Sequence, residues 1–397
     1  MTIYLDMIQS LALATGLLFF GKFIKRRIHF FQKYCIPSPV IGGLIFSVLV
    51  FICHEFGWLY INFNTTLQDF FMIAFFTTVG YNASIKPLKQ GGKHIFIFLV
   101  LIACLIICQN IIALGIGKLL NVPPLLSLCT GSIPMVGGHG SAGAFGPTIK
   151  AMGVDGATSV AIASATFGLV AGSAIGGPIA KRLIEKKNLY KEVEHRLDDP
   201  DIEDSVSGFK EFIASGFSYG FYQIVIAMGL GTLVSYVLKL TGLKFPSYIG
   251  AMLVAAAIRN YSDFTGKFKV YFMEIQEIGE ASLSFFLSMA LMTLELWTLS
   301  NLALPMLILL ASQLILMMLF SRFVIFKYMG KDYDAAVMTA GACGFGMGAT
   351  PNAMANMQAI CQRYAPSVKA YLLVPLIGSL FADFLNSITI TFFINML

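Results

Sequence analysis

Residues 131–146 read Gly131-Ser-Ile-Pro-Met-Val-Gly-Gly-His-Gly-Ser-Ala-Gly-Ala-Phe-Gly146, an uncharged tract in which glycine recurs every few positions. A second tract of the same kind reads Gly341-Ala-Cys-Gly-Phe-Gly-Met-Gly-Ala-Thr-Pro-Asn352, and 210 positions separate Gly131 from Gly341. Backbone this rich in glycine and proline does not form a straight membrane helix, yet neither tract has a charge to hold it in water. Such backbone is tolerated inside a membrane protein, where its N–H and C=O groups line a cavity.

The rest of the chain is apolar enough for a membrane protein. Of its 397 residues, 57% are hydrophobic and only 12% are charged, about half the charged fraction of a soluble domain. Segments without Asp, Glu, Lys or Arg recur, and many approach the roughly 20 residues that cross a bilayer as a helix. These segments are 7–21, 34–54, 94–117, 119–149, 212–238, 296–321 and 335–362. The sequence therefore predicts an all-α integral membrane protein.

The charge pattern predicts about ten transmembrane helices in two sets of five. The first set lies at about 3–23, 34–56, 67–85, 94–118 and 157–181, and the second at about 211–239, 245–260, 278–297, 301–326 and 368–396. We predict an N-terminal repeat over 1–181 with a hairpin at 119–149, a cytoplasmic linker over 182–210, and a C-terminal inverted repeat over 211–397 with a hairpin at 333–362.

Lysine and arginine predict the orientation. With both termini outside, 23 of the 27 basic residues fall in cytoplasmic segments, as the positive-inside rule requires. The net charge of +6 is explained by these loops, so we expect no nucleic-acid partner. Because each half has an odd number of crossings, the second half enters from the opposite side. The two glycine tracts should then form re-entrant hairpins that meet near the midplane.

The first tract combines small side chains with hydroxyls and one histidine. We predict substrate contacts from its main-chain N–H groups at half-helix starts, which suit a carboxylate. The candidate residues are Ser132, Gly137, Gly138, His139, Gly140 and Ser141. Close helix packing is the alternative role for glycine. We favour the packing role for Gly168, Gly172 and Gly176, which are spaced by four in one helix.

The second tract ends in polar residues at a helix break. Pro351 lacks an N–H and interrupts a helix, and Asn352 and Asn356 stand one turn apart with both donors and acceptors. We predict contacts from Gly348, Thr350, Asn352 and Asn356. The pattern suits a zwitterion or a cation equally well.

Asp383 is the one carboxylate deep in the last predicted helix, and Asn386 follows one turn later. A charge in the membrane is costly unless compensated, so a coupling Na⁺ or a proton is the natural partner, with a hydrogen bond to a facing helix as the alternative. The sequence has no Walker-type lysine after a glycine tract and no zinc-ligand spacing. With nucleotide-driven transport and zinc chemistry not indicated, the sequence predicts transport driven by an ion gradient.

Longer motifs are similar to those of the bacterial sodium/glutamate symporter family. The similarity includes Ile36-Pro-Ser-Pro-Val-Ile-Gly-Gly43, Gly137-Gly-His-Gly-Ser141, Ser284-Phe-Phe-Leu-Ser-Met-Ala-Leu291 and Gly341-Ala-Cys-Gly-Phe-Gly-Met-Gly-Ala-Thr-Pro-Asn-Ala-Met-Ala-Asn-Met-Gln-Ala-Ile360. The resemblance implies a multi-pass protein of the bacterial plasma (inner) membrane that takes up L-glutamate with Na⁺. It also implies inverted five-helix repeats, a homodimer in membrane lipid and elevator-type motion. The Na⁺ contacts it implies are Thr166, Asp383 and Asn386.

Three other functions stay open at this stage. A Na⁺- or H⁺-coupled transporter of another small carboxylate would use the same features. An ion channel or facilitator would give uptake that never exceeds equilibrium and that does not depend on an ion. A membrane enzyme would need a catalytic pair such as Ser141 and His139, which has no orienting third group nearby in the sequence, so we predict that the chain is not an enzyme.

Overall fold

The computed structural model describes residues 2–34, 36–57, 60–86, 92–189, 214–240, 246–294, 296 and 302–397, and these are almost entirely helical. The exception is a pair of short parallel strands, β1 (Thr2–Leu5) and β2 (Tyr60–Phe63). The first half contains α1 (Met7–Arg27), α2 (His29–Lys33), α3 (Ser38–Glu55), α4 (Thr66–Asn82), α5 (Gly92–Leu119), α6 (Pro124–Leu128), α7 (Ser132–Met135), α8 (Gly138–Ala151) and α9 (Ala157–Lys187).

The second half contains α10 (Ala214–Leu240), α11 (Ile249–Thr265), α12 (Phe272–Met292), α13 (Ala303–Phe320), α14 (Phe326–Tyr328), α15 (Tyr333–Gly346), α16 (Thr350–Arg363), α17 (Val368–Ile377) and α18 (Asp383–Met396). Two π-helical turns connect pairs of these helices into longer ones. Ser321–Ile325 joins α13 to α14, and Gly378–Ala382 joins α17 to α18.

Six of the described helices are long and apolar enough to cross a bilayer. They are Met7–Arg27, Ser38–Glu55, Gly92–Leu119, Ala157–Lys187, Gly216–Leu240 and Ala303–Tyr328. The prediction of an all-α, multi-pass membrane protein is therefore confirmed.

Two helices extend past charged residues that the sequence places near their ends. The helix predicted at 245–260 begins at Ile249 and continues to Thr265, because Arg259 is paired with Asp263 at 2.9 Å within it. Similarly, α9 reaches Lys187, six residues into the predicted linker. Glu185 lies 3.9 Å from Lys181. The positive charges of Lys186 and Lys187 interact favourably with the negative end of the helix dipole. Residues 190–210 of that linker lie outside the described residues.

The helices form two bundles, and each half of the chain contributes to both. In bundle I, α4 packs against α11 and α12, α3 packs against α1 and α12, and α10 packs against α11. In bundle II, α9 packs against α8, α15 and α16, and α5 packs against α13. Both glycine tracts belong to bundle II.

An apolar interface joins the two bundles. Tyr248 stacks on Phe76 at 3.8 Å between ring centroids within bundle I and meets the edge of Phe145 from bundle II at 5.8 Å. Further contacts run from α8 to α12 and from α4 to the π-helical turn before α18.

The two ends of the helices form opposite faces of the molecule. The pairing of β1 with β2 places the start of α1 beside the end of α3. At that face, one cavity is lined by Asn62 and by Thr158 at the start of α9. At the other face, Asn260 of α11 donates to the carbonyl of Ala83, 2.7 Å away, after the end of α4. The hydroxyl of Tyr364, after α16, donates to Glu185 near the end of α9 at 3.0 Å.

Candidate functional site

The turns of the two glycine tracts touch each other. A Cβ atom added to Gly138 would lie 2.6 Å from the carbonyl oxygen of Gly348, closer than real Cβ contacts allow. Gly138 also has a φ of +56°, a left-handed conformation that costs an ordinary L-residue roughly 1–2 kcal/mol. Two features therefore require glycine at position 138: its left-handed backbone conformation and the close approach of the Gly348 carbonyl.

Each tract breaks a helix and starts another at this contact. In the first tract, α8 begins at Gly138, just after the short helix α7. In the second, α15 ends at Gly346, Ala349 is extended with φ −160° and ψ 161°, and α16 begins at Thr350 with Pro351 in its first turn. Proline suits that position because its missing N–H has no helical partner there. Two helix N-termini therefore lie at one place, although in α16 Pro351 has no N–H and the Asn352 N–H donates to the carbonyl of Ala349 at 3.0 Å.

A small cavity lies beside the two turns, between the bundles. Its volume is about 210 Å³, below the roughly 300 Å³ at which pockets for drug-sized ligands begin. Bundle I contributes Phe75, Leu283 and Leu287 to its wall. Bundle II contributes, among the predicted site residues, Gly137, Gly138, His139, Gly140, Gly348, Thr350 and Asp383. The size fits a small solute.

Among the described residues, Asp383 is the one acidic residue that lines this cavity. It is half-buried and stands directly after the π-helical turn Gly378–Ala382, whose Gly378 also lines the cavity. No basic side chain of the described residues makes an ion pair with Asp383. A carboxylate in this position favours a cation in the cavity.

The two asparagines of the second tract lie outside the cavity and bind main chain instead. The Asn352 amide donates to the carbonyl of Leu169 at 2.9 Å, and the Asn356 amide donates to the carbonyls of Gly172 at 3.0 Å and Ala340 at 3.2 Å. Both side chains are buried and tie the hairpin of α15 and α16 to α9. Their amide nitrogens therefore hold main chain, whereas Asn352 Oδ1 is buried without a hydrogen-bond partner, and contact of either residue with a solute stays a prediction.

Ser132 and Asn386 form a polar cluster behind the first turn. The Asn386 amide donates to the carbonyl of Ser132 at 3.0 Å, and the Ser132 N–H donates to Asn110 Oδ1 at 2.9 Å. Asn386 Oδ1 and Ser132 Oγ are buried without a hydrogen-bond partner. Buried polar oxygens rarely lack a partner, so these two are candidate ligands for a cation. Ser141, also buried, lies against this cluster next to Gly137.

Asn110 is a residue that sequence reasoning did not select. As one polar residue in the long charge-free segment 94–117, it gave only a weak signal, since interhelical hydrogen bonds explain most such residues. In the described residues, no group of three or more His, Cys, Asp or Glu side chains forms a metal site.

His139 and Thr166 are hydrogen-bonded. The Thr166 hydroxyl oxygen lies 3.1 Å from the carbonyl oxygen of Ile162 and 3.0 Å from His139 Nε2, so it is engaged on two sides. This bond fixes the ring of His139 at the cavity wall.

The remaining glycines serve helix packing. Cβ atoms added to Gly168, Gly172 and Gly176 would lie 2.2–2.8 Å from atoms of the second hairpin, so the packing role predicted for them is confirmed. Gly140 and Gly143 instead face bundle I. Their added Cβ atoms would lie 3.1 Å from the ring of Phe75 and 2.8 Å from the ring of Phe286.

Comparison with known proteins agrees with the resemblance seen in the motifs. The sequence profile of the family described as "Sodium/glutamate symporter" matches residues 3–366. The chain belongs to this family. It is 39% identical over 403 residues to the sodium/glutamate symporter of Escherichia coli (strain K12), covering 99% of this chain and 98% of that protein. The Shigella flexneri protein gives the same values.

A more distant relative supports the same assignment. The chain is 38% identical over 386 residues to the sodium/glutamate symporter of Haemophilus influenzae, covering 96% of this chain and 95% of that protein. Symporters are transporters rather than enzymes, so the prediction that this member of the family is not an enzyme is confirmed.

Proposed function

We propose that this protein takes up L-glutamate together with Na⁺ across the bacterial plasma membrane. The observation that carries the proposal is the cavity between the bundles, where two helix N-termini and Asp383 meet. The cavity lies in a chain that aligns over nearly its full length with proteins named sodium/glutamate symporter. An anion site beside a cation site is what symport of a carboxylate with Na⁺ requires.

Glutamate would be held by main chain more than by side chains. The first residues of α8 and α16 line the cavity, and main-chain N–H groups at helix starts suit a carboxylate. No lysine or arginine is among the described residues that line it. The negative charge of the substrate is then balanced by helix N-termini and by the co-transported cation. His139, Thr350 and the glycines of the two turns are the proposed contacts.

Sodium would bind where oxygen atoms have no other partner. Asp383 supplies the charge, and Asn386 Oδ1 and Ser132 Oγ are buried oxygens without hydrogen bonds. Thr166 is less suited, because its hydroxyl is already engaged by Ile162 and His139. We therefore place the coupling ion nearer to Asp383 and Asn386 than to Thr166.

The architecture we propose is a pair of inverted repeats over 1–181 and 211–397, each with a re-entrant hairpin. The matching order of elements in the two halves supports it, since each has four helices of at least 17 residues, then a broken helical segment and then a final long helical segment. The hydroxyl of Tyr333, at the start of α15, donates to the carbonyl of Ala365, just after α16. The second hairpin thus begins and ends at one face, as a re-entrant segment must.

Transport would occur by elevator-type movement of bundle II against bundle I. The cavity has walls from both bundles, so relative movement would change its exposure. Gly140 and Gly143 give α8 a smooth surface against the rings of Phe75 and Phe286, which favours sliding.

We place both termini outside, because the lysines and arginines of 181–187, 259–269 and 322–331 then lie in the cytoplasm. The family resemblance also supports a homodimer in the inner membrane.

Uptake of labelled L-glutamate into proteoliposomes tests the proposed function. An inward Na⁺ gradient should drive accumulation above equilibrium, and unlabelled glutamate should compete better than other small dicarboxylates or tricarboxylates. Accumulation driven by a proton gradient alone would favour H⁺ coupling. Uptake that never exceeds equilibrium would favour a facilitator.

A further inference from the structure

A groove on the membrane-facing side of bundle II is separate from the transport cavity. It lies between the last turns of α9 and the end of α13, and its volume is about 600 Å³. Its apolar and basic lining residues are Pro178, Ile179, Arg182, Leu183, Lys186, Lys187, Ile315, Met318, Leu319, Arg322, Phe323 and Phe326. The groove has an apolar part along α13 and a basic rim at the face where α9 ends.

The apolar part is long and exposed. Ile315, Leu319 and Phe323 are 52%, 52% and 58% exposed, although they belong to one of the longest helices. They stand four residues apart and therefore form one stripe along the helix. In a bilayer such a stripe contacts acyl chains.

The basic rim carries positive charge without neighbouring acidic partners. Arg182, Lys186, Lys187 and Arg322 make no ion pair with an acidic side chain of the described residues. Glu185, the acidic residue on the same turns of α9, is instead near Lys181 at 3.9 Å and Arg363 at 4.0 Å. The groove is thus positive at the ends of α9 and α13, which the proposed topology places at the cytoplasmic face.

A π-helical turn places Arg322 and Phe323 at this rim. Ser321–Ile325 interrupts the regular helix, and such turns often occur at functional sites. The Arg322 guanidinium lies 5.3 Å from the centre of the Phe323 ring, and Lys187 lies 4.6 Å from the centre of the Phe326 ring. Both cations are therefore held over aromatic rings at the groove rather than extended into solvent.

We propose that this groove binds one anionic phospholipid. Arg182, Lys186 and Arg322 take the phosphate, and the acyl chains lie along Ile315, Leu319 and Phe323. Basic pockets between transmembrane helices are suited to anionic headgroups, whereas a zwitterionic lipid carries no net charge to match this rim. Because α9 and α13 both belong to bundle II, the lipid would fasten these two helices together. This proposal does not depend on which solute is transported.

Native mass spectrometry of the full-length protein, mixed with phosphatidylglycerol or with phosphatidylcholine, tests the site. The wild type should retain phosphatidylglycerol at least about tenfold more tightly than phosphatidylcholine, and its thermal midpoint should rise only with phosphatidylglycerol. The triple change Arg182→Gln, Lys186→Gln and Arg322→Gln should remove this preference. Lys327→Gln is the matched control, because Lys327 is exposed at the same end of the same helix but does not line the groove.

Four results would overturn the proposal. The first two are unchanged phosphatidylglycerol binding in the triple variant and an equal loss of binding in Lys327→Gln. The other two are displacement of the lipid by inorganic phosphate at matched concentration and a changed oligomeric state of the triple variant with lipid binding intact. If the triple variant does not fold, Arg322→Gln alone should weaken phosphatidylglycerol binding and Arg322→Lys should restore it. Equal binding by those two variants would also exclude a charge-matched headgroup site.

Discussion

The two glycine tracts have similar compositions but lie in different surroundings. The first tract faces the interface between the bundles, where Gly140 and Gly143 contact the rings of Phe75 and Phe286. The second tract is packed within bundle II. An added Cβ on Gly344 would lie 2.4 Å from the N atom of Ala353, and one on Gly346 would lie 3.1 Å from side chains of α5 and α13.

The two tracts also differ in their hydrogen bonds. The second tract is tied to α9 by Asn352 and Asn356. The first tract is held through Asn386 and Asn110, both of which bind the main chain of Ser132. The comparison shows that the second tract is bound within bundle II, while the first faces bundle I; in the proposed elevator-type movement, the first tract would form the moving surface. Four substitutions test this contrast.

Gly138→Val should abolish glutamate uptake by folded protein. The side chain would overlap the Gly348 carbonyl in a backbone conformation that L-residues avoid, and an error of about 1 Å at a binding site costs on the order of 100-fold. Uptake into proteoliposomes is the measurement. Gly115→Val is the control, because an added Cβ there has no atom within 4 Å. Full activity of Gly138→Val would show that the contact between the tracts is dispensable.

Asp383→Asn should weaken activation by Na⁺ by at least about tenfold, equivalent to about 1.4 kcal/mol, because the substitution removes the one negative charge at the cavity. The Na⁺ concentration at half-maximal uptake is the measurement. Asp155→Asn, in an exposed turn, should leave it unchanged. If Asp383→Asn keeps the Na⁺ dependence of the wild type, Asp383 is not part of the ion site.

Gly143→Ala should slow uptake by about threefold to tenfold, because the new Cβ would lie 2.8 Å from the Phe286 ring across the bundle interface. Phe286→Leu in the same chain should restore part of the rate, with a coupling energy of about 0.5–3 kcal/mol between the two sites. Glutamate affinity should change little. Gly229→Ala, with no atom within 4 Å of the added Cβ, is the control. Equal rates for Gly143→Ala and the wild type would argue against sliding at this surface.

Asn352→Ala should lower thermal stability more than it lowers glutamate affinity. The substitution leaves the buried Leu169 carbonyl without its donor, at a cost of about 1–3 kcal/mol. Asn356→Ala should behave alike, since its amide binds Gly172 and Ala340. Thermal midpoints with and without glutamate are the measurement. Lost glutamate binding at unchanged stability would instead make Asn352 a substrate contact.

The sequence was sufficient for those features that depend on local composition. Charge-free length predicted a multi-pass helical membrane protein, and the glycines and prolines of 131–146 and 341–352 predicted interrupted helices. The motifs identified the family. The cavity wall was predicted in part, since Gly137–Gly140, Gly348, Thr350 and Asp383 all line it.

The tertiary structure decided the partners of the polar side chains and the division into two bundles. The sequence predicted that Asn352 and Asn356 contact a zwitterion or a cation, and only the position of α9 shows that their amides donate to its carbonyls. Asn110 belongs to the site because α5 passes beside Ser132, whose N–H donates to Asn110 Oδ1. These contacts join residues far apart in the chain, and the register between packed helices is not encoded in local composition or spacing.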